Sequence, residues 1–310
     1  MSQPDGVPRD ARAIARLISL VEDGGPELRD VMAGLAPQTG RARVIGLTGS
    51  PGVGKSTTTA GLISAYRREG LRVGVLAIDP SSPFSGGALL GDRVRMQEHA
   101  GDDGVYIRSM ASRGHLGGLS RATPQAVRVL DAAGFDVVLV ETVGVGQAEV
   151  DVAALADTTV VLLAPGMGDS IQAAKAGILE VADVLVVNKA DRDGANNTVR
   201  DLQAMLSYAE SDAAAWSPPI VRTIASEGTG LAELVGAIEA HRSWAHDNGQ
   251  LVRRRIERAS AEVRALLIDR LHARLDAADV AGALLRLASE VAEGKLDAYA
   301  AADELAARSA

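Results

Sequence analysis

Six short apolar runs, separated by stretches of helical periodicity, constrain the fold of this chain more than any other feature. The runs are Val44–Leu47, Val73–Ile78, Val137–Val140, Thr159–Leu163, Val184–Val187 and Ile220–Ile224. Uninterrupted runs of this kind are typical of strands in a parallel sheet that helices cover on both faces. The pattern therefore predicts an α/β fold, built on one doubly wound and mostly parallel sheet.

The chain divides into three zones along its length. Residues 1–40 are predicted to form an N-terminal helical segment, in which Gly24-Gly25-Pro26 separates two amphipathic helices. Residues 41–240 contain the apolar runs and are predicted to form the sheet domain. Residues 241–310 lack strand signals and are predicted to form a C-terminal helical extension.

The C-terminal extension contains a pattern that favours helix pairing. Its apolar residues repeat at +4, +3 and +4 in Val280, Leu284, Leu287 and Val291. This is the spacing of a seam between two helices. The seam can close within a folded-back helical hairpin, or between two copies of the chain as a dimer arm. The sequence leaves both interpretations open.

The composition argues against several classes of function. The 310 residues include 40 acidic and 32 basic side chains, and the net charge of −8 disfavours nucleic acid and anionic membranes as partners. There is no cysteine, which excludes disulfides and thiolate metal sites and fits a reducing compartment. No apolar stretch is long enough to cross a bilayer, and Met1–Asp10 lacks an apolar signal core. We therefore expect a cytoplasmic protein.

A glycine-rich motif follows the first apolar run directly. It reads Gly49-Ser50-Pro51-Gly52-Val53-Gly54-Lys55-Ser56, and Thr57 then opens a helical stretch. This is the pattern G-x-x-x-x-G-K-[ST] between a strand and a helix, where backbone N–H groups and the helix N-terminus surround phosphate oxygens. Lys55 is expected to reach the β- and γ-phosphates, and the Ser56 hydroxyl is expected to ligate Mg²⁺. The motif predicts a site for a nucleoside triphosphate.

The segment Asn188-Lys189-Ala190-Asp191 follows the fifth apolar run and predicts which base is bound. The Asp191 carboxylate can accept hydrogen bonds from N1–H and the N2 amino group of guanine, whereas adenine would leave it unpaired. Lys189 can lie along the base, and Asn188 can brace the phosphate loop. These residues favour GTP and GDP over the adenine nucleotides.

A further contact with the base is expected after the last apolar run. The backbone N–H groups of Ile224, Ala225 and Ser226 lie where GTPases place their donors to guanine O6. GTPases often have Ser before the Ala of this segment, and this chain has Ile224 there, so the motif departs from the usual pattern.

Three acidic residues are candidates for the metal shell. Glu141 opens Glu141-Thr-Val-Gly144, which matches the D-x-x-G switch of GTPases with Glu in place of Asp. The carboxylate is expected to act on Mg²⁺ directly or through water, and the Gly144 N–H to sense the γ-phosphate. At Asp79, after the second run, a metal-shell role competes with capping of a turn. For Asp92 the alternative is an ion pair with a neighbouring arginine.

The glutamine that orients the attacking water in Ras-like enzymes is displaced in this chain. Those enzymes have Gln directly after the switch glycine, whereas this chain has Val145 there and Gln147 two residues later. We therefore expect slow intrinsic hydrolysis, with a rate that a partner modulates. The predicted metal ligands are Ser56, Asp79, Asp92 and Glu141, and the predicted catalytic residues are Lys55, Asp92 and Glu141.

Four longer stretches resemble the methylmalonyl-CoA mutase-associated GTPases, the MeaB/ArgK-type group. They are residues 79–96, residues 107–119, Glu141–Gln147 and Pro165–Gln172. The resemblance covers about Arg43 to Gly230 and implies a homodimeric P-loop GTPase domain with helical flanks. It also implies that Asp79, Asp92 and Glu141 surround Mg²⁺ and the γ-phosphate.

The resemblance further implies a function and a partner. In this family, GTP binding and hydrolysis gate the delivery of adenosylcobalamin to methylmalonyl-CoA mutase, or to a close relative, and protect or reactivate that enzyme. GTP with Mg²⁺ would order the switch segments, and the mutase would read the difference. Asp169-Ser170 stands where the family usually has Asp-Glu. Arg113 is a candidate for neutralising transition-state charge, with a structural loop role as the alternative.

The residues give less support to three other functions. A nickel-type metallochaperone GTPase would need a Cys/His metal site, and the chain has no cysteine and no paired histidines. A kinase linked to amino-acid transport would usually take ATP, against which Asp191 argues. A GTP-dependent scaffold without hydrolysis would be favoured by loss of Lys55 or Ser56, and both are present.

Overall fold

The structure is a computed structural model, which describes residues 10–79, 98–99, 101–111, 122–142, 148–166, 180–208, 215–275 and 278–309. The chain folds as two units, Met1–Arg254 and Arg255–Ala310. The sheet and the phosphate-loop motif belong to the first unit. The three zones expected from the sequence, 1–40, 41–240 and 241–310, stay a prediction.

Seven strands of the described chain form one sheet, and all neighbouring strands are parallel. They are β1 (Arg43–Thr48), β2 (Val73–Asp79), β3 (Val105–Ala111), β4 (Val137–Thr142), β5 (Thr158–Leu163), β6 (Val184–Asn188) and β7 (Ile220–Thr223). Their order across the sheet is β3-β2-β4-β1-β5-β6-β7. The predicted doubly wound parallel fold is confirmed.

The apolar pattern missed one strand, β3, which lies at an edge of the sheet. Arg108 and Ser109 interrupt its apolar sequence. Arg108 donates hydrogen bonds to Ser19 Oγ (3.1 Å) and to Glu22 Oε2 (2.5 Å) on the first helix. A strand with one neighbour and polar partners on a covering helix does not need a continuous apolar run. The edge position therefore explains why the pattern missed β3.

Helices cover both faces of the sheet. They are α1 (Ala11–Asp23), α2 (Leu28–Leu35), α3 (Lys55–Arg68), α4 (Ala122–Ala132), α5 (Ala148–Leu155), α6 (Ala195–Tyr208) and α7 (Leu231–Asp247). The next helix along the chain, α8 (Gln250–Leu275), has no buried residue. Ile18 of α1 and Leu130 of α4 lie in one apolar core, and Leu62 of α3 and Ile238 of α7 lie in a second. Val199 of α6 lies in a third core, with residues of β5 and β6. The two helices expected before the sheet are present. Among the described helices, none has both the length and the apolar character needed to cross a membrane.

The second unit contains a pair of short helices, α9 (Ala278–Ala292) and α10 (Ala298–Ser309). Leu287 of α9 is 1% exposed and packs with Ala301 and Leu305 of α10, and Val291 packs against the same cluster. Leu284, from the same predicted seam, is 45% exposed. Part of the seam therefore closes within this hairpin, and part of it faces outward.

A buried ionic cluster lies at the amino ends of β5 and β6. The Asp183 carboxylate accepts hydrogen bonds from Arg254 Nη1 (2.7 Å) and Nη2 (2.8 Å) and from the Thr159 N–H (2.8 Å). The fully buried His241 places Nε2 3.1 Å from Asp183 Oδ1 and Nδ1 2.9 Å from Thr158 Oγ1. Burial alone would raise the pKa of Asp183, but Arg254 and His241 outweigh it and lower that pKa.

Candidate nucleotide-binding site

The phosphate-loop motif connects β1 to α3 at the carboxyl edge of the sheet. Gly49, Gly52 and Gly54 have φ values of 137°, 79° and 99°, in the region that favours glycine. A Cβ at Gly49 would overlap the carbonyl oxygen of Leu162, and a Cβ at Gly54 would overlap the side-chain amide of Asn188. Glycine is therefore required at both positions by backbone conformation and by space.

Lys55 begins α3, and its side chain turns back into the loop. The residue is 7% exposed, and Nζ donates hydrogen bonds to the carbonyl oxygens of Gly49 (2.5 Å) and Ser50 (3.1 Å). These bonds hold a positive charge beside the N-terminus of α3, whose first N–H groups carry a partial positive charge as well. Together they form an environment that attracts phosphate oxygens.

Ser56 and Glu141, two of the predicted metal ligands, are in direct contact. Glu141 lies opposite Leu47 in the β1–β4 ladder, which brings its side chain to the start of α3. Ser56 Oγ donates a hydrogen bond to Glu141 Oε1 (2.6 Å), and Thr59 Oγ1 donates one to Glu141 Oε2 (2.8 Å). Glu141 is 1% exposed. A buried carboxylate beside a hydroxyl offers the hard oxygen donors that Mg²⁺ prefers, so these residues fit that metal.

The other predicted ligands of the metal and the γ-phosphate are described only in part. Asp79 is the last residue of β2, and the residue before it, Ile78, lies opposite Thr142 in β4. The backbone of Asp79 is therefore close to the strand end that carries Glu141. The side chain of Asp79 lies outside the described residues, and so do Arg113, Gln147, Asp92 and Gly144. Their roles stay predictions.

Asn188 joins the phosphate loop to the segment after β7. Its Nδ2 donates a hydrogen bond to the Val53 carbonyl oxygen (2.8 Å). Its Oδ1 accepts hydrogen bonds from Thr223 Oγ1 (3.0 Å) and from the Ala225 N–H (3.1 Å). The bracing contact expected from the sequence is present, and the same side chain also holds the predicted base-binding segment. Loop and segment are thus linked through one buried amide.

Lys189 contacts the phosphate loop, and Asp191 follows it on the surface. Lys189 has a φ of 55°, which is uncommon for a residue other than glycine. Its Nζ donates a hydrogen bond to the Gly52 carbonyl oxygen (2.6 Å), so its stem spans the space between the end of β6 and the loop. Asp191 is exposed, and its carboxylate is accessible to a ligand.

The three amides expected to meet guanine O6 are not equivalent. The Ile224 N–H donates to the Thr229 carbonyl oxygen (3.0 Å), and the Ala225 N–H donates to Asn188 Oδ1. The Ser226 N–H has no such partner among the residues that the structure describes. The contact between these amides and the base stays a prediction, and the Ser226 N–H is the donor that we expect to make it.

Sequence reasoning did not single out Thr59, although this residue touches the predicted metal ligand Glu141. The phosphate-loop pattern ends at Ser56, and Thr59 then lies within a run of threonines. Residues three apart on a helix share a face, so Ser56 and Thr59 approach β4 together. The spacing of three residues between Ser56 and Thr59 is the sequence signal that could have identified Thr59.

The family model described as "Methylmalonyl Co-A mutase-associated GTPase MeaB" matches residues 14–280 of this chain. The chain belongs to the MeaB family. The resemblance drawn from its motifs is thereby confirmed, and its fold is that of a P-loop enzyme in a family of GTPases.

Relatives of this MeaB-family chain include proteins from an archaeon and a mammal. A Pyrococcus abyssi protein that is named as a GTPase is 47% identical over 297 residues, which are 95% of this chain and 91% of that protein. The Mus musculus "Methylmalonic aciduria type A homolog, mitochondrial" is 38% identical over 214 residues, covering 68% of this chain and 52% of that protein. A crystal structure of an LAO/AO transport system kinase matches with a TM-score of 0.70 at 27% identity, covering 96% and 93% of the two chains.

Proposed function

We propose that this protein binds GTP with Mg²⁺ and hydrolyses it slowly, and that it thereby gates the loading of adenosylcobalamin into methylmalonyl-CoA mutase or a close relative. The same cycle would protect or reactivate that mutase. One observation carries the proposal: the phosphate loop, the Glu141 carboxylate and the Asn188 amide meet at one edge of the sheet. The family description supports the GTPase activity and the mutase as partner.

Different residues at this edge would bind the phosphates and the metal ion. The loop N–H groups and the Lys55 ammonium would bind the β- and γ-phosphates. Ser56 and Glu141 would hold Mg²⁺, together with Asp79 and Asp92 as predicted ligands. Mg²⁺, when bound, would neutralise charge that develops on the phosphate oxygens.

We assign guanine specificity to the Asp191 carboxylate, with the Ser226 N–H as a hydrogen-bond donor to guanine O6. The exposed carboxylate can accept two hydrogen bonds from guanine and none of equivalent geometry from adenine. We expect wild-type protein to bind a fluorescent GDP analogue at least tenfold more tightly than the ADP analogue, as one discriminating polar contact provides. Asp191→Asn should remove most of this preference. Equal affinities of the wild-type protein for the two analogues would contradict the assignment to GTP.

The mutase partner is tested by co-purification. The mouse relative is named after methylmalonic aciduria, and the family is described as mutase-associated, so a cobalamin-dependent mutase is the first candidate. We expect the full chain to retain methylmalonyl-CoA mutase in one nucleotide state more than in the other, because a switch must bind its partner differently in its two states. Equal retention with GDP and with a non-hydrolysable GTP analogue would contradict the gating role.

We place this cycle in the cytoplasm, since a chain without cysteine suits a reducing compartment.

The slow intrinsic rate is a separate part of the proposal. Val145 occupies the position of the water-orienting glutamine of Ras-like enzymes. Phosphate release by the purified protein should therefore be slow and should rise when the mutase is added. Turnover of many GTP per second without a partner would contradict this expectation.

A homodimer is proposed through α8. None of its residues is buried, and Ile256, Val263 and Leu267 are 64%, 66% and 55% exposed. Their spacing of +7 and +4 places them on one apolar stripe, which a second copy of the same helix could cover. Light scattering should report a dimer for the full chain and a monomer for Val263→Glu combined with Leu267→Glu. A monomeric wild-type protein would refute the dimer.

A second candidate function comes from one comparison, because the solved structure with the TM-score of 0.70 is of a transport system kinase. In that case the chain would transfer the γ-phosphate to a protein, with ATP or GTP as the donor. Incubation with radiolabelled GTP and ATP separates the two functions. Labelled free phosphate identifies hydrolysis, whereas a labelled protein identifies a kinase.

A further inference from the structure

We infer that Thr59 is a positioning residue, which acts on the metal site through Glu141; the inference rests on the proposed function. Thr59 Oγ1 lies 2.8 Å from Glu141 Oε2, while Ser56 Oγ lies 2.6 Å from Oε1. The two hydroxyls engage different oxygens of one carboxylate. They therefore set both its position and its rotation about the terminal bond, which is otherwise a soft torsion.

The Thr59 hydroxyl has a single proton and two acceptors within reach. Glu141 Oε2 is 2.8 Å away, and the Lys55 carbonyl oxygen is 3.1 Å away. A carboxylate is the stronger acceptor and is also the nearer one, so the Thr59 hydroxyl donates its hydrogen bond to Glu141 Oε2. Thr59 and Glu141 are 0% and 1% exposed, so bulk water has no access to replace this bond.

The consequence at the metal site concerns the hydroxyl of Ser56. A hydroxyl has one proton and two lone pairs. When the Ser56 hydroxyl donates its hydrogen bond to Glu141 Oε1, the lone pairs of Ser56 Oγ point away from that oxygen, which is the orientation that a hydroxyl ligand of Mg²⁺ needs. Glu141 has one more methylene, and hence one more torsion, than the aspartate usual in this switch motif. Thr59 supplies the additional constraint that the longer side chain needs.

The test is the Mg²⁺ dependence of nucleotide release. Thr59→Val removes the donor and keeps nearly the same volume. We expect the Mg²⁺ concentration that half-maximally slows release of a fluorescent GDP analogue to rise about tenfold, as the loss of one charge-assisted hydrogen bond predicts. Affinity for the same analogue in EDTA should not change. Thr59→Ser keeps the hydroxyl and should restore the wild-type Mg²⁺ dependence.

Thr58 provides a matched control on the same helix. It is 0% exposed, and its Oγ1 donates a hydrogen bond to the Gly54 carbonyl oxygen (3.0 Å) instead of a carboxylate. Thr58→Val therefore loses one buried hydroxyl without touching Glu141. Its Mg²⁺ dependence should equal that of the wild-type protein.

The outcomes separate the inference from the function on which it rests. If Thr59→Val and Thr58→Val have the same Mg²⁺ dependence, Thr59 is not a positioning residue. An equal loss of affinity with and without Mg²⁺ would also overturn that role, since it indicates general damage to the loop. If Thr59→Val does not fold, Thr59→Ala replaces it, because alanine removes the same hydroxyl and adds no second methyl group to the core. Its Mg²⁺ dependence is then compared with that of Thr58→Val. A wild-type protein that binds no guanine nucleotide would overturn the proposed function itself.

Discussion

Replacing Asn188 by alanine tests whether one side chain links the phosphate loop to the predicted base-binding segment after β7. The change removes the hydrogen bond to the Val53 carbonyl oxygen and the two bonds that Asn188 Oδ1 accepts, from Thr223 Oγ1 and the Ala225 N–H. Asn188 is 3% exposed, so its partners lose their bonds in a buried environment. Each bond contributes about 1 kcal/mol, and we expect the free energy of unfolding to fall by about 3 kcal/mol.

The assay is thermal denaturation of the full chain, with GDP affinity measured in parallel. A loss of about 3 kcal/mol should lower the Tm by roughly 6–12 °C in a unit of this size. GDP affinity should fall about tenfold or more, because the Val53 carbonyl oxygen no longer has the partner that holds the loop. Both effects come from the same three bonds and should appear together.

Asn196→Ala is the matched control for this experiment. Asn196 is exposed, and its Oδ1 accepts a hydrogen bond from Arg222 Nη1 (2.9 Å). Its replacement should change the free energy of unfolding by at most about 0.5 kcal/mol. If Asn188→Ala and Asn196→Ala lower the Tm equally, the buried amide does not brace the loop and the reasoning is refuted.

Two other perturbations test the loop and the ionic cluster. Gly54→Ala should weaken GDP binding about tenfold or more, because its Cβ would overlap Asn188 and its φ is left-handed. Gly52→Ala, in the same loop, has a φ of 79° and open space around the new Cβ, so the loss of GDP affinity should be smaller there and measures the backbone strain without the overlap. Arg254→Gln should destabilise the protein above about pH 4, and the difference from wild type should shrink at lower pH. The folded pKa of Asp183 is lowered, so its stabilising effect is full above the unfolded pKa and is lost as the pH falls through the folded pKa. A difference that is independent of pH, measured by urea denaturation, would show that the carboxylate is not involved.

Much of the fold and of the phosphate site is a local property of the chain. Strands buried on both faces must be apolar throughout, so the runs in the sequence predicted six of the seven described strands. The loop from Gly49 to Ser56 is contiguous, and Lys55 Nζ bonds to the carbonyl oxygens of Gly49 and Ser50 within it, so the motif by itself predicted the loop. The edge strand β3 escaped prediction because Arg108 finds its partners on α1, far away in the chain.

Contacts between distant segments depended on the tertiary structure. Thr58 and Thr59 are adjacent and chemically identical, yet only Thr59 reaches Glu141, 82 residues away, because α3 packs on β4 with that face. In the same way, Asn188 Oδ1 accepts a hydrogen bond from the Ala225 N–H, 37 residues further on, which engages one of the three amides predicted to meet a base. A sequence pattern specifies residue types at fixed spacing. Which hydroxyl meets which carboxylate is decided by strand order, register and helix rotation, because a hydrogen bond forms only within about 3 Å.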